Sequence, residues 1–302
     1  MSFRPPFVTV GAVTSLPTSV AGHRTLRRIS VNISDIIEFE IRRRRAIAWV
    51  VGVCVAITLA LVALDWAVTY RRATDIGAIR RLFNMAREDS LASWYAVTVT
   101  CLAALTGWLI WAAARRVSQR GRTVGWLVVA LFLTWMTVDD GAAVHERLGT
   151  AFELTREEGT AGGGSLTRLA ESFPSYGWQL LLMPQFVLVG VFTLAFLWRT
   201  SSGPLVRGLA LAALGCLAIA VGIDFMEGLD PEHPANLQAW LARRPWLARL
   251  SAPDYKTPLE SVVHFGKVIE EAIEIIGMTL LWAVLLDQLI LTASRVRIRV
   301  AG

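Results

Sequence analysis

Apolar residues are concentrated in six long blocks along the chain, separated by shorter polar and arginine-rich segments. Each block holds the roughly 20 apolar residues that a helix needs to cross the hydrocarbon core of a bilayer. Acidic residues interrupt the third, fifth and sixth blocks, but backbone groups in lipid must bond within their own segment, so these blocks are also predicted to be helical. The pattern predicts an all-α, polytopic membrane helix bundle of about six transmembrane helices, near residues 46–70, 91–114, 123–148, 178–198, 205–228 and 262–292.

Three further segments have the helical spacing of an amphipathic surface helix. Residues 29–45, 76–87 and 235–250 each carry apolar side chains on one face and charged ones on the other. We expect the first to lie on the cytoplasmic surface and the other two to cover the outer surface. The predicted organisation is a cytoplasmic N-terminal segment (1–45), a six-helix transmembrane domain (46–292) and a basic cytoplasmic tail (293–302).

Composition and charge agree with a membrane protein. The 302 residues are 54% hydrophobic with a net charge of +6, and the mean hydropathy is +0.50. Every second connection between the blocks is rich in arginine, and so are the segments before the first block and after the last one. The positive-inside rule places arginine-rich segments in the cytoplasm, so it predicts that both termini are cytoplasmic. No basic stretch is interleaved with aromatic residues on a soluble domain, which argues against nucleic-acid binding. The lipid bilayer is the expected partner, and other membrane proteins are candidate partners.

The predicted spans contain an unusual number of carboxylates, and the predicted topology places all of them in the outer half of the membrane. An ionised carboxylate in hydrocarbon costs several kcal/mol, so such residues indicate function by default. Lys267 is the basic residue that opposes them within these spans, with His145 and His264 nearby. The eight acids are Asp139, Asp140, Glu146, Asp224, Glu227, Glu270, Glu271 and Glu274.

Helical spacing predicts that these side chains converge. On the sixth span, the polar residues from His264 to Glu274 fall within about 120° of one another. Asp139 and Glu146 share a stripe on the third span, and Asp224 and Glu227 share a face of the fifth. Because the third and fifth spans run outward and the sixth runs inward, their polar parts should meet at a similar depth.

Helix bundles form metal sites from carboxylates and histidines on several helices. We predict a divalent metal, Mn, Fe or Zn, although the spacing is not the Glu-x-x-His pattern of ferritin-like bundles. The candidate catalytic residues are Glu146, Asp224 and Glu227. The candidate metal ligands are Asp139, Asp140, His145, His264, Glu270, Glu271 and Glu274.

Two alternatives for the acidic site stay open: a metal-free network of shared protons with a Lys267 salt bridge, and a water-filled vestibule that binds no ligand. Haem ligation by His145 and His264 is less favoured, because lone histidines more often hydrogen-bond to carboxylates. Gln179 and Gln185 are candidate hydrogen-bond donors to the site. Asp65 and Asp287 are expected at the membrane interface. Gly208, Ala212, Gly215 and Gly222 are expected to form a small-residue stripe for close helix packing.

Three stretches of sequence carry a family resemblance. RRLFNMAREDSLASWY (80–95), DDGAAVHERLG (139–149) and EEAIEIIG (270–277) resemble a widespread family of uncharacterised bacterial multi-spanning membrane proteins. In that family an Asp-Glu pair precedes a His-Glu, where this chain has Asp139–Asp140. The resemblance covers roughly residues 70–290 and implies a multi-pass protein of the bacterial cytoplasmic membrane, without implying a reaction.

Three functional hypotheses follow. The first is a metal-dependent membrane enzyme that acts on a lipid or other apolar substrate. The second is a non-catalytic subunit or sensor of a membrane complex, in which the acidic site is structural. The third is a cation or proton-coupled transporter, but the inner halves of the spans are almost wholly apolar, and a transporter needs polar residues through both leaflets.

Overall fold

The computed structural model describes residues 43–117, 120–157, 173–201, 203–244, 246 and 257–293, and all regular secondary structure in these residues is helical. The first helix continues beyond Leu64 as a π-helical segment, Asp65–Tyr70. The helices are α1 (Arg43–Leu64), α2 (Gly77–Phe83), α3 (Leu91–Val117), α4 (Arg120–Ala142), α5 (Val144–Glu157), α6 (Gly177–Thr200), α7 (Pro204–Glu227), α8 (Leu237–Ala242) and α9 (Pro258–Ala293).

Six of these helices are long and apolar enough to cross a membrane: α1 with its π-helical extension, α3, α4, α6, α7 and α9. The predicted all-α, multi-pass bundle is therefore confirmed. Its orientation in the membrane stays a prediction, as do the domain boundaries. The surface helix predicted at 29–45 lies almost wholly outside the described residues, and residues 294–302 of the predicted tail also lie outside them.

Helix α9 lies at the centre of the bundle and packs against α1, α3, α7 and α8. Its apolar face, including Ile275, Leu281 and Leu285, is fully buried. A Cβ atom at Gly277 would lie 3.1 Å from the carbonyl oxygen of Ala213, so the glycine lets α9 and α7 approach closely. Hydrophobic burial and close backbone packing therefore hold the helix that carries most of the acidic residues.

The expected glycine stripe on α7 is not at this contact. Cβ atoms at Gly208, Gly215 and Gly222 would have no heavy atom within 4 Å, whereas Ala210 and Ala213 are fully buried. The expectation was wrong because alanines on another face of α7 are also small enough to allow close packing, and it is that face that contacts α9. The packing face of α7 is the one that meets Gly277.

The third predicted span is broken near its end. Helix α4 ends at Ala142, and Ala143 adopts a left-handed conformation with φ of 47° before α5 begins at Val144. The prediction of one helix to residue 148 was therefore wrong. The Asp139 carboxylate accepts a hydrogen bond from the backbone N–H of His145 at 2.9 Å and so satisfies a donor at the start of α5. The break moves His145 and Glu146 from the spanning helix to the next one.

Two aspartates expected at the membrane interface are buried instead. Asp65 is 1% exposed and Asp287 is 2% exposed. Asp287 accepts a hydrogen bond from Arg43 Nε at 2.5 Å, which joins the start of α1 to the end of α9. Each aspartate lies near the end of an apolar block, where the sequence pattern alone cannot distinguish an interfacial carboxylate from a paired one.

The remaining predicted amphipathic segments contain short helices. Helix α2 lies within 76–87 and leaves Ile79 and Leu82 exposed. Helix α8 lies within 235–250 and is capped by Asn236, whose side chain accepts a hydrogen bond from the N–H of Ala239 at 2.8 Å. Both helices lie at the end of the bundle where α4 and α7 end and α3, α6 and α9 begin, which we call the site end.

Candidate functional site

A cavity of about 520 Å³ lies between α3, α4, α6, α7 and α9, and we call it the acidic cavity. Its volume falls within the range of roughly 300–1,000 Å³ that is typical of ligand-binding pockets. Every predicted site residue except Glu227 and His264 lines it. Its polar lining consists of Glu88, Asp139, Asp140, His145, Glu146, Asp224, Lys267, Glu270, Glu271 and Glu274, with Ser93 and Thr193.

A larger cavity of about 980 Å³, the vestibule, adjoins the acidic cavity at the site end. The two share the lining residues Glu88, Glu146, Trp178, Asp224 and Lys267. The vestibule lining also includes Glu227 and His264, so the predicted residues that are missing from the acidic cavity line its approach. The acids of five separate segments, the loop before α3 and helices α4, α5, α7 and α9, therefore line one continuous polar space.

Asp139 holds His145 through both of its carboxylate oxygens. Oδ1 accepts from the His145 backbone, and Oδ2 lies 2.9 Å from the ring Nδ1. Burial lowers the pKa of His145, but the hydrogen bond that its ring donates to Asp139 and the charges of Asp139, Glu146 and Glu274 outweigh burial and raise it. The ring also packs edge-on against Trp178 of α6, with centroids 4.9 Å apart. His145 is thus fixed between α4 and α6.

Lys267 balances part of the negative charge. Its Nζ lies 2.9 Å from Glu270 Oε1 and 3.7 Å from Asp224 Oδ1. Gln179 donates to Asp224 Oδ2 at 2.8 Å, as expected for a supporting donor, while Gln185 is exposed on α6. The other carboxylate oxygen of Glu270, Oε2, is buried without a hydrogen-bond partner in the described residues. An unsatisfied buried oxygen of this kind is costly.

Glu227 lies on the vestibule side of this network. Tyr176 and the side-chain amide of Gln238 both approach it at 3.5 Å, the upper limit of a hydrogen bond. Burial and the neighbouring Glu227 and Asp224 carboxylates raise the pKa of Tyr176, because each disfavours the phenolate. Tyr176 therefore remains a neutral hydroxyl donor at the edge of the vestibule.

Asp140, Glu271 and Glu274 have no ion-pair partner within the described part of the chain. Asp140 accepts a hydrogen bond from Thr100 at 3.2 Å and interacts electrostatically with Glu274 across α4 and α9. Glu271 and Glu274, nearly one turn apart on α9, also interact electrostatically. We call these three carboxylates the acidic triad, and each of them must hold a proton or bind a cation to avoid the cost of an unpaired charge.

Glu88 is a site residue that the sequence analysis missed. It lies in the loop between α2 and α3, and it lines both the acidic cavity and the vestibule. Burial and the charge of Glu146 raise the pKa of Glu88, although Lys267 and His145 oppose them. The neighbouring Asp89 binds Arg81 and Arg87, whose hydrogen bonds lower its pKa. Glu88 was hard to find because it is in a charged loop, where an acid is ordinarily solvated.

Asp65 was also missed, and it explains the position of His264. The His264 Nε2 atom lies 2.9 Å from Asp65 Oδ2, and the backbone N–H of Met85 donates to Asp65 Oδ1 at 3.1 Å. Both side chains are buried. Asp65 begins the π-helical segment after α1, a type of irregularity that is frequent at functional sites. His264 thus joins α9 to α1 in the vestibule wall.

The side chains as placed do not form a metal-ligand set. Among the described residues, no group of three or more His, Cys, Asp or Glu side chains is arranged to hold a metal ion. The predicted metal ligands and the catalytic roles therefore stay predictions. What the structure does bring together is an acidic, partly water-accessible space inside a helix bundle.

A family model for a domain of unknown function, DUF8692, matches residues 49–289. The chain belongs to this family. The match spans all six membrane-crossing helices almost completely and agrees with the prediction of an uncharacterised family, whose motifs stay a prediction. A bacterial origin stays a prediction. No curated protein and no solved structure matches the chain.

Proposed function

We propose that this protein is a membrane enzyme that binds a divalent cation in the acidic cavity and acts there on a lipid or other apolar substrate. The observation that carries the proposal is the acidic triad: three carboxylates without an ion-pair partner in the described chain, in a cavity of ligand-binding size.

Charge balance supports a bound cation. Carboxylates enclosed by a helix bundle must be protonated, paired or bound to a cation, because leaving them ionised and unpaired costs several kcal/mol. Lys267 is already engaged by Glu270 and Asp224, and His145 is engaged by Asp139. A divalent ion would neutralise the acidic triad more fully than either of these engaged groups.

The donor chemistry indicates which cation. Carboxylate oxygens with one adjacent imidazole suit Mn, Fe or Zn. Asp140, Glu271 and Glu274 would supply the ligands after side-chain rotation, and the Asp139–His145 pair lies next to them. Glu271 and Glu274 have flexible side chains on a buried helix, and the proposal requires these side chains to turn toward a common point.

The roles of the surrounding acids follow from their positions. Glu88 and Glu146 line both cavities and so lie where water from the vestibule would reach the cation. The raised pKa of Glu88 suits a group that can hold a proton and pass it on. We assign the proton-transfer step to Glu146 or Glu88, with Asp224 and Glu227 holding the polar network around Lys267.

A second candidate function is a non-catalytic subunit or sensor with a metal-free acidic network. The continuous series of contacts from Gln179 through Asp224 and Lys267 to Glu270 favours it, because such a network fixes helix positions without a ligand. This candidate predicts that the protein is indifferent to divalent cations, which separates it from the enzyme proposal.

Thermal unfolding of the detergent-purified protein tests the proposal. Mn²⁺, Fe²⁺ or Zn²⁺ should raise the unfolding temperature, because a ligand that binds the folded state stabilises it by about 2.7 kcal/mol at 100 times its Kd. Glu271→Gln/Glu274→Gln should abolish the rise. The matched control is Glu232→Gln, in an exposed loop that lines neither cavity, and it should keep the rise. Equal responses of all three proteins would contradict the proposal.

A further inference from the structure

We infer that the acidic cavity binds the alkyl chain of a membrane amphiphile, which enters sideways from the bilayer between α4 and α6 and places a non-anionic head group at the acidic triad. This inference rests on the proposed function in that it names the substrate class of the same site.

The end of the acidic cavity away from the carboxylates is lined by hydrocarbon and thioether groups. Its apolar lining includes Phe132, Met136, Met183, Phe186, Leu217 and Met278. These come from α4, α6, α7 and α9. The cavity therefore changes from acidic to apolar along its length, which matches a molecule with a polar head and an apolar chain. Methionine side chains suit a flexible chain because they adapt their shape.

The apolar end opens at the side of the bundle. Val187 and Val191 of α6 line the acidic cavity, yet they are 55% and 62% exposed at the bundle surface. Gly190, between them, also lines the cavity, and a Cβ there would have no heavy atom within 4 Å. All three lie near the middle of a membrane-crossing helix, so this opening faces hydrocarbon. A bilayer amphiphile is the molecule present at that opening.

Helix α6 is suited to form one side of such an opening. It packs on α5 and α7, and it meets α4 through two edge-on ring contacts, Trp126–Phe196 and Phe132–Phe186. Pro184 lies within it, where it removes a backbone hydrogen bond and weakens the helix locally. Entry between α4 and α6 would part the Phe132 and Phe186 rings and leave the Trp126–Phe196 contact, which belongs to the buried core, in place.

Charge at the polar end selects the head group. The acidic triad has no ion-pair partner in the described chain, whereas the nearby Lys267 and His145 are each bound to carboxylates. In the absence of a bound cation, an anionic head group would be repelled and an amine head group attracted. The expected ligand is therefore a long-chain amine or a neutral amphiphile rather than a fatty acid.

Photolabelling in nanodiscs tests the inference. The probe is a long-chain amine with a diazirine in its alkyl chain, used on protein from which a chelator has removed divalent cations. Labelling should map to α4 and α6 around Phe132 and Gly190. Gly190→Leu should reduce labelling roughly tenfold, because the new side chain fills the space of a few methylene groups without clashing. Gly52→Leu on α1 is the matched control, since Gly52 is also free of contacts and does not line the cavity.

The outcomes separate this inference from the proposed function. Equal labelling of wild-type protein and Gly190→Leu would overturn the inference, as would stronger labelling by a carboxylate-headed version of the probe. Gly190→Leu should keep the stabilisation by divalent cations, because Gly190 lies away from the acidic triad along the cavity. If wild-type protein is labelled by the probe but divalent cations do not raise its unfolding temperature, the proposed function alone is contradicted.

Discussion

The ring of His264 on α9 and the carboxylate of Asp65 at the end of α1 form a buried pair, with 2.9 Å between Nε2 and Oδ2. The two residues are 199 positions apart in the chain. The same carboxylate accepts the backbone N–H of Met85, which lies in the loop that carries Glu88. This one side chain therefore fixes two elements of the vestibule relative to the central helix.

Replacing Asp65 should destabilise the fold. Asp65→Ala removes the acceptor of the Met85 N–H and the partner of His264, so we expect a loss of roughly 2–4 kcal/mol in the free energy of unfolding. Chemical unfolding in detergent micelles measures the change. Asp75→Ala is the matched control, because its side chain is 90% exposed, and it should change stability by less than about 0.5 kcal/mol. Similar effects of the two substitutions would show that the buried pair is unimportant.

The Arg43–Asp287 pair should stabilise the fold by joining the start of α1 to the end of α9. Asp287 is buried at the end of α9, and Arg43 is the first described residue of α1. Asp287→Ala and Arg43→Ala should each lower stability, and the double variant should lose less than the sum of the two, because the interaction can be lost only once. Unfolding of all four proteins measures this coupling. Strictly additive losses would mean that the pair contributes nothing.

The six spans and the convergence of their acids could be predicted from the sequence because both depend on periodicity. An apolar block of about 20 residues indicates a membrane helix, and helical spacing indicates which acids share a face. The predicted site acids of α4, α7 and α9 accordingly line one cavity or its vestibule. The central position of α9 was not evident, since it depends on which helix surfaces pack together.

Other features depend on contacts between distant residues, which periodicity cannot reveal. Asp65 is buried because His264 and Met85 surround it, and Glu88 faces the cavity because Asp89 engages the loop arginines. The break at Ala143 carries no proline signal, and an alanine ordinarily favours helix. It forms where the Asp139 carboxylate offers the backbone of His145 a competing hydrogen bond.

The left-handed conformation of Ala143 leads to a stability prediction. Ala143→Gly should stabilise the protein by about 0.5–1 kcal/mol, because glycine adopts positive φ without steric cost. Ala60→Gly, at an exposed position within α1, should instead destabilise by a similar amount, since glycine weakens a regular helix. Unfolding midpoints of both variants measure the difference. Destabilisation by Ala143→Gly would contradict the role assigned to the break.

The raised pKa of Glu88 predicts a pH dependence of stability. Between the ordinary carboxyl pKa of about 4.5 and its own higher pKa, the folded protein holds a proton on Glu88 that the unfolded chain has released. The contribution of Glu88 to stability should therefore fall as pH rises through that window. Glu88→Gln should flatten this part of the profile, as measured by thermal unfolding from about pH 4 to 8. A profile unchanged by the substitution would mean that the surroundings of the acidic cavity do not raise the pKa of Glu88.

The most direct test of the central claim is the metal content of the purified protein, measured by elemental analysis beside Glu271→Gln/Glu274→Gln. We predict Mn, Fe or Zn in a constant ratio to wild-type protein, and its loss from the double variant while the helix content and unfolding cooperativity are retained. Well-folded wild-type protein without any such metal, even after dialysis against these ions, would contradict the claim. So would a double variant that retains the wild-type metal content.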